Sequence, residues 1–436
     1  MTELRRSLGL ASLSFYGIGL ILGAGVFSVI GAAAAEAGDG LWLSFLIGAA
    51  VALLTGLSYA ELATALPRAG AEHVYLSAAF PRRPLIAYLA GAVLVLSGCA
   101  TASTVALAFG GYLREMVPIP VLGAALALLV ASSALNLVGI RESAWVNVAF
   151  TVVEASGLVL LIVLGMRSGR FGEALQADVG AGTLSGAALL FFAFLGFEEI
   201  VNLTEETRDP GRTIPRAILV SVAVTTVLYV LVGLAAVALV PAAEMAKSEA
   251  PLLAAAQAGS RRAAAALGVI ALFATANTCL ATLVGVSRMC HGMARAGALP
   301  GVFGRVLRTR KTPWAAALLV LGLAALMALP GDVPSIASLS SFGALVAFSG
   351  VNACLIILRF RQPLLERPFR VPLALAGVPV PAALGLVLAL GLATQFDGRT
   401  IGAGIAATAV AALAWLTRRW WGSSGPSSTL PRPATR

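Results

Sequence analysis

Twelve apolar runs, most of them about 20 residues long and separated by polar loops, account for nearly the whole 436-residue chain. A helix needs about 20 residues to cross roughly 30 Å of hydrocarbon. Inside a bilayer every backbone N–H and C=O must be satisfied within the spanning element, so only helices and closed barrels qualify. The alternating pattern of a barrel is absent. The expected fold is therefore an all-α polytopic membrane protein with twelve transmembrane helices. The spans are 10–34, 41–66, 84–113, 119–139, 144–166, 184–205, 216–240, 263–288, 314–330, 335–358, 374–394 and 401–417. Charged residues make up 11% of the chain, against roughly 25% in a soluble domain. The first run begins too deep in the pattern, and runs on too well, to read as a cleaved signal peptide, so it reads as a span.

The net charge of +10 invites a nucleic-acid reading, but the positions of the charges argue against one. With an even number of spans and an inside N-terminus, 23 of the 30 basic residues fall on one side. That asymmetry is the positive-inside rule, and it places both termini in the cytoplasm of a plasma-membrane protein. On this reading 1–9 is a cytoplasmic N-terminus and the Ser/Pro-rich 418–436 a disordered cytoplasmic tail. The four cysteines (Cys99, Cys279, Cys290, Cys354) lie in spans or at their ends without a C-x-x-C, which argues against a disulfide framework or a zinc site. His73 and His291 are far apart and read as structural. No loop is large enough for an enzyme domain, and neither H-E-x-x-H nor a P-loop motif occurs. The chain is expected to be no enzyme and to need no cofactor. Nothing in the pattern fixes an oligomeric state. The loop 289–313 is basic and suits a short interfacial helix.

Two spans contain residues that weaken a helix. "GIGLILGAGVF" (17–27) holds Gly17, Gly19, Gly23 and Gly25, each costing about 1 kcal/mol against alanine in a helix interior. Gly19 and Gly23 alone would suit a small-xxx-small packing seam. A dinucleotide fingerprint fails because no strand precedes the run. An unwound Gly23–Ala24–Gly25 is the functional alternative. A break in mid-membrane frees backbone groups that only a cavity or ligand can satisfy, and transporters use such breaks in pairs. Span 6 offers the second, where Gly196 interrupts an aromatic run just ahead of Glu198 and Glu199. The spacing suits two five-helix halves, 10–166 and 184–358, with 374–417 appended.

These stretches resemble the amino acid–polyamine–organocation (APC) permeases, in particular the cationic-amino-acid-transporter-like branch. The likeness rests on "GIGLILGAGVF", on "FFAFLGFEE…EETRDPGRTIPRAI" through span 6, on "YAELATALPRAGAEHVYL" (59–76), on "SRMCHGMARAGALP" (287–300) and on "RPFRVPL" (367–373). It implies a LeuT-type 5+5 inverted repeat with discontinuous helices 1 and 6, and secondary transport of amino acids or related amines by alternating access. The backbone around Ile21, Gly23, Ala24 and Gly25 would then hold a substrate carboxylate. The carbonyls of Phe192, Ala193 and Leu195 would receive its amine, with Phe192 as a gate or wall. Many relatives carry Ser or Thr where this chain has Ala24, so here the backbone N–H groups would do more of the work. Cys99 to Ser103, Asn277 to Cys279 and Ser340 to Gly343 would complete the wall.

Intramembrane carboxylates mark function or pairing by default. Glu154 lies in mid-span 5, where several relatives have a lysine, and is expected to ligate Na⁺ or to carry a coupling H⁺. Glu198 is the second ion-coupling candidate. Glu205, Glu206 and Arg208, with Glu61 and Arg288 at the ends of spans 2 and 8, are candidates for an inner gate, and Pro210 and Pro215 are expected to stop and restart helices. An uncoupled exchanger or uniporter, and a nutrient sensor on the same fold, remain open at this point. A channel or a membrane-embedded enzyme fits the residues less well.

Overall fold

A computed structural model describes residues 8–67, 71–138, 144–176, 180–307, 310 and 312–417. Its helices follow the apolar runs. Helix 1 is in two pieces, Leu10–Leu22 and Gly25–Ala37. Helices 2 to 5 are Leu41–Ala65, Pro84–Arg114, Val121–Val138 and Ala144–Arg167. Helix 6 starts at Thr183–Leu190 and resumes, as 3₁₀ turns, over Phe197–Glu206. Helices 7 to 12 are Pro210–Leu239, Arg261–Arg295, Trp314–Ala328, Val333–Arg361, Val380–Ala393 and Gly398–Thr417. Among the described residues nine helical stretches are long and apolar enough to cross a bilayer, and three apolar helices (Leu10–Leu22, Trp314–Ala328 and Val380–Ala393) are shorter. Together they make a polytopic, almost wholly helical membrane protein.

Small residues on facing helices let the backbones approach, and aromatic rings fill the middle of the bundle. Tyr59, Phe197, Phe348 and Phe191 pack edge-on or tilted with centroids 5.3–5.9 Å apart. Helix 12 lies at the margin, with only Thr400 and Ala411 buried.

Several expected boundaries move. Helix 7 begins at Pro210, not 216, and Pro215 does not restart it. Pro210 sits in the first turn, where an N–H would be unpaired in any case, and Pro215 removes one bond close to the helix start. Span 11 was expected from 374, but its helix begins at Val380, because Ala374–Leu375 and Val378–Pro379 form a small antiparallel hairpin. Its two-residue turn, Ala376–Gly377, has positive φ at both positions (49° and 86°), as a type I′ turn requires. The basic loop 289–313 holds no separate α-helix among its described residues. Helix 8 runs on to Arg295, and a 3₁₀ turn follows at Gly301–Gly304. A short helix, Ala71–Ala79, lies in the segment read as a loop after span 2. The expected terminal segments 1–7 and 418–436 lie outside the described residues.

Candidate functional site

Helix 1 leaves helical geometry at Gly23 (φ −26°, ψ −149°) and restarts with Ala24 as its cap. The restart is locally supported, since the Ala24 carbonyl accepts from the Ser28 N–H (2.9 Å) and hydroxyl (2.7 Å). The freed groups on the other side find partners on distant helices. The Ala24 N–H donates to Thr278 Oγ1 of helix 8 at 2.8 Å. The Ile21 carbonyl accepts from the Tyr229 hydroxyl of helix 7 at 2.5 Å.

Helix 6 breaks differently. Phe191–Phe194 tightens to a 3₁₀ turn, Leu195 is extended (ψ 140°), and Gly196 takes φ 118°, a region in which an L side chain is strained. The freed Gly196 N–H donates to Glu198 Oε2, two residues on, at 2.8 Å. The two breaks touch. A Cβ on Gly25 would lie 2.6 Å from the Ala193 Cα, and one on Gly196 would lie 2.9 Å from the Leu20 carbonyl oxygen. Tyr229 also reaches the Ala193 carbonyl (3.1 Å). A phenol has one proton to give, so a single donor serves a carbonyl from each broken helix.

Glu154 projects from helix 5 and is 1% exposed. One oxygen, Oε1, accepts from Asn277 Nδ2 at 3.2 Å, while Oε2 has no hydrogen-bond partner among the described residues. Asn277 and Thr278 are neighbours on helix 8, so one dipeptide contacts both the helix 5 acid and the helix 1 break. The unpartnered atom, Glu154 Oε2, is a carboxylate oxygen, a ligand type that suits a proton or a hard cation such as Na⁺. Among the described residues no group of three or more His, Cys, Asp or Glu is placed to hold a metal.

The structure thus brings together Ile21, Gly23, Ala24, Gly25, Phe192, Ala193, Leu195, Glu154 and Glu198, and adds Tyr229 and Thr278. Phe192 is packed in the core at 3% exposed. Of the expected wall, Thr278 meets the helix 1 break and the Ser341 hydroxyl reaches the Leu189 carbonyl of helix 6 (3.5 Å). Cys99 and Ser103 turn instead to helix 9, at the carbonyls of Val320 and Ala324. Tyr229 left one signal in the sequence, a lone phenol in the apolar stretch "TTVLYVLVG".

The gate candidates do not meet as a group. Glu61 is fully buried, and its partners are Arg359 Nε (3.0 Å) and Nη2 (2.5 Å), Arg367 Nε (3.1 Å) and the Val371 N–H (2.7 Å). Arg288 is exposed and within Coulombic reach of Glu199 instead. Glu206 and Arg208 take part through their backbones: the Leu8 N–H donates to the Glu206 carbonyl (3.1 Å), and the Arg208 N–H to the Leu8 carbonyl (2.9 Å). The Glu205 side chain lies outside the described residues. Nearby, on the short helix after helix 2, burial pushes the Glu72 carboxyl above its ordinary range. The Tyr59 hydroxyl, which donates to it at 2.8 Å, pulls the other way.

A polytopic helical protein whose two broken helices touch at their breaks, with a buried acid beside them, has the architecture of a membrane transporter. The amino acid permease family matches residues 8–417, and the chain belongs to that family. An uncharacterized transporter of Mycobacterium tuberculosis is 34% identical over 96% of this chain and 92% of its own length. The branched-chain amino acid permease BcaP of Bacillus subtilis is 30% identical over 92% of this chain and 90% of its own. Cationic amino acid transporter 4 of Homo sapiens is 30% identical over 83% of this chain but 61% of its own.

Proposed function

We propose that the chain is a twelve-helix secondary transporter with a 5+5 inverted repeat (10–166 and 184–358). It moves amino acids or related amines across the plasma membrane by alternating access, with both termini cytoplasmic. The observation that carries this reading is the contact between the two helix breaks, with the unpartnered oxygen of Glu154 beside them. The broken ends carry what a zwitterion needs, N–H groups at the start of one half-helix for a carboxylate and carbonyls for an ammonium, with Thr278 and Tyr229 holding the Ala24 N–H and the Ile21 and Ala193 carbonyls in the substrate's place. Two named relatives, a branched-chain amino acid permease and a cationic amino acid transporter, support amino acids as the class.

Glu154 is the coupling residue for H⁺ or Na⁺. Its Oε2 is buried without a donor among the described residues, an arrangement that is costly unless a proton or cation visits it. Glu198 holds the helix 6 break through the Gly196 N–H and serves coupling from there. Glu206, Arg208 and Arg288, at the ends of helices 6 and 8, remain the inner-gate candidates with Glu205, while the buried Glu61 acts through its pairing with Arg359 and Arg367.

The test is uptake of amino acids into proteoliposomes across pH, with and without sodium, by wild type and Glu154→Gln. The expected result is uptake driven by an ion gradient in wild type and lost or uncoupled in the variant. Unchanged coupling in Glu154→Gln overturns its role. Exchange that ignores every ion gradient, or binding without uptake, overturns coupled transport in favour of an exchanger or a sensor.

A further inference from the structure

The segment between helices 10 and 11 combines exposed apolar side chains, exposed arginines and a tight hairpin. Its outer side shows large apolar side chains, with Phe360 57%, Leu364 98%, Leu373 74% and Leu375 75% exposed. Leu373 also holds a positive φ of 60°, which a γ-branched residue adopts only at a cost, and the type I′ hairpin after it keeps Leu375 projecting. Burial in a protein core does not explain these leucines, because nothing among the described residues covers them.

Basic groups stand around them. Arg361 and Arg370 are exposed, as are Arg82 and Arg83 on the neighbouring loop, and Glu366 is the single acid within 360–379. Arg361 is held at the rim by the Ala79 carbonyl (2.9 Å) and lies over the Phe80 ring (5.9 Å). The segment joins two apolar helices at their ends, the place in a membrane protein where leucines meet the edge of the hydrocarbon and arginines the headgroups. That combination of apolar and basic side chains fits an anionic lipid surface.

The inner side of the same segment is fastened to the bundle. Arg367 and the Val371 N–H both bind Glu61, and Arg359 Nη2 ties Glu61 to the Val371 carbonyl (3.0 Å). Arg367 also caps the end of helix 10 at the Leu358 and Gln362 carbonyls (both 3.1 Å). Pro368 packs on the first turn of helix 7, where a Cβ on Gly211 would meet it at 2.8 Å.

We propose that residues 360–379 form a foot that binds the anionic headgroups of the leaflet it faces and steadies helix 2 through Glu61. The inference rests on the chain spanning a membrane and not on what it transports. The probe is Leu364→Cys labelled with an environment-sensitive dye; the four native cysteines are buried, so the label goes to the new thiol. The full chain is placed in bilayers of phosphatidylcholine alone and of phosphatidylcholine with phosphatidylglycerol, with brominated acyl chains on one lipid at a time. The expected result is blue-shifted emission quenched preferentially by brominated phosphatidylglycerol. That preference should fall about fivefold for each of Arg361→Gln and Arg370→Gln. Phosphatidylglycerol should raise the melting temperature of the unlabelled wild type and not that of the double variant. Emission typical of water, quenching that ignores lipid charge, or a melting temperature indifferent to phosphatidylglycerol overturns the proposal. Neither readout involves a transported substrate, so failure here and failure of the transport reading are separate results.

Discussion

The two helix breaks meet in space, yet they are assembled by opposite means. At the helix 6 break the turn itself closes locally: Gly196 supplies the left-handed backbone and its N–H goes to Glu198 two residues later, while the Ala193 carbonyl just ahead of it shares the Tyr229 hydroxyl with helix 1. At the helix 1 break the partners are remote. Thr278, which accepts the Ala24 N–H, is 254 residues away, and Tyr229, which donates to Ile21, is 208 away. After its break helix 1 returns to an α-helix, whereas helix 6 continues as ten residues of 3₁₀ turn with poorer hydrogen-bond geometry. A self-contained break can keep its shape while its neighbours move. A break completed by helices 7 and 8 must change whenever those helices shift, so the helix 1 break is the one suited to sense the state of the bundle.

The largest effects should come where the breaks touch. Gly25→Ala places a methyl carbon 2.6 Å from the Ala193 Cα, a backbone atom that can yield only by separating the two helices. Gly196→Ala adds the strain of a φ of 118° to a contact of 2.9 Å with the Leu20 carbonyl. Each should cost about 1–3 kcal/mol or more and abolish uptake. Gly285→Ala, inside helix 8 with no described atom within 4 Å, should leave uptake unchanged and melt no lower than wild type, since alanine is the better helix former. Thermal melts in detergent and uptake in proteoliposomes check all three. A tolerated Gly25→Ala would mean that the breaks do not need their close contact.

Removing a remote partner should come next. Tyr229→Phe takes away the one donor that serves both broken helices, leaving the Ile21 and Ala193 carbonyls short of a proton. Thr278→Val keeps the shape and leaves the Ala24 N–H buried without an acceptor, a loss of about 1–3 kcal/mol. Both should weaken substrate binding more than their effect on melting suggests, because the groups they expose belong to the proposed carboxylate and amine sites. Binding measured by substrate-dependent thermal shift checks this. Equal losses of stability and binding would reduce both residues to packing.

The same contrast explains what could be read from the residues. The helices were legible because apolar runs of membrane-crossing length admit little else. The glycines at 23, 25 and 196 stood out because they are poor helix formers in otherwise apolar spans, and Glu198 was visible beside its glycine. Thr278 and Tyr229 were not assigned to the breaks, since a contact across more than 200 residues leaves no local pattern. The Glu61 partners were missed for that reason too: Arg359 lies 298 residues on, and the motif "RPFRVPL" showed that the segment mattered without showing where it docks. The hairpin at 374–379 was read as the start of span 11 because its residues, Leu375 among them, continue the apolar pattern. Only the left-handed backbone at Leu373, Ala376 and Gly377 separates it from the helix.

The smallest effect is expected at the self-contained break. Glu198→Gln keeps a carbonyl oxygen at Cδ, so the Gly196 N–H can still donate, and the loss should stay within about 1 kcal/mol. Glu198→Ala removes the acceptor altogether and should cost more, though less than Thr278→Val, because a half-buried site admits water to the Gly196 N–H while the buried Ala24 N–H has no such recourse. If coupling at Glu198 depends on charge, Glu198→Gln should shift the pH profile of uptake while leaving the melting temperature nearly unchanged. A variant that melts as wild type and transports with an unshifted pH profile would confine Glu198 to holding the break. If Glu198→Ala instead proved as damaging as Thr278→Val, the helix 6 break would depend on its surroundings as much as the helix 1 break does, and the contrast between them would fail.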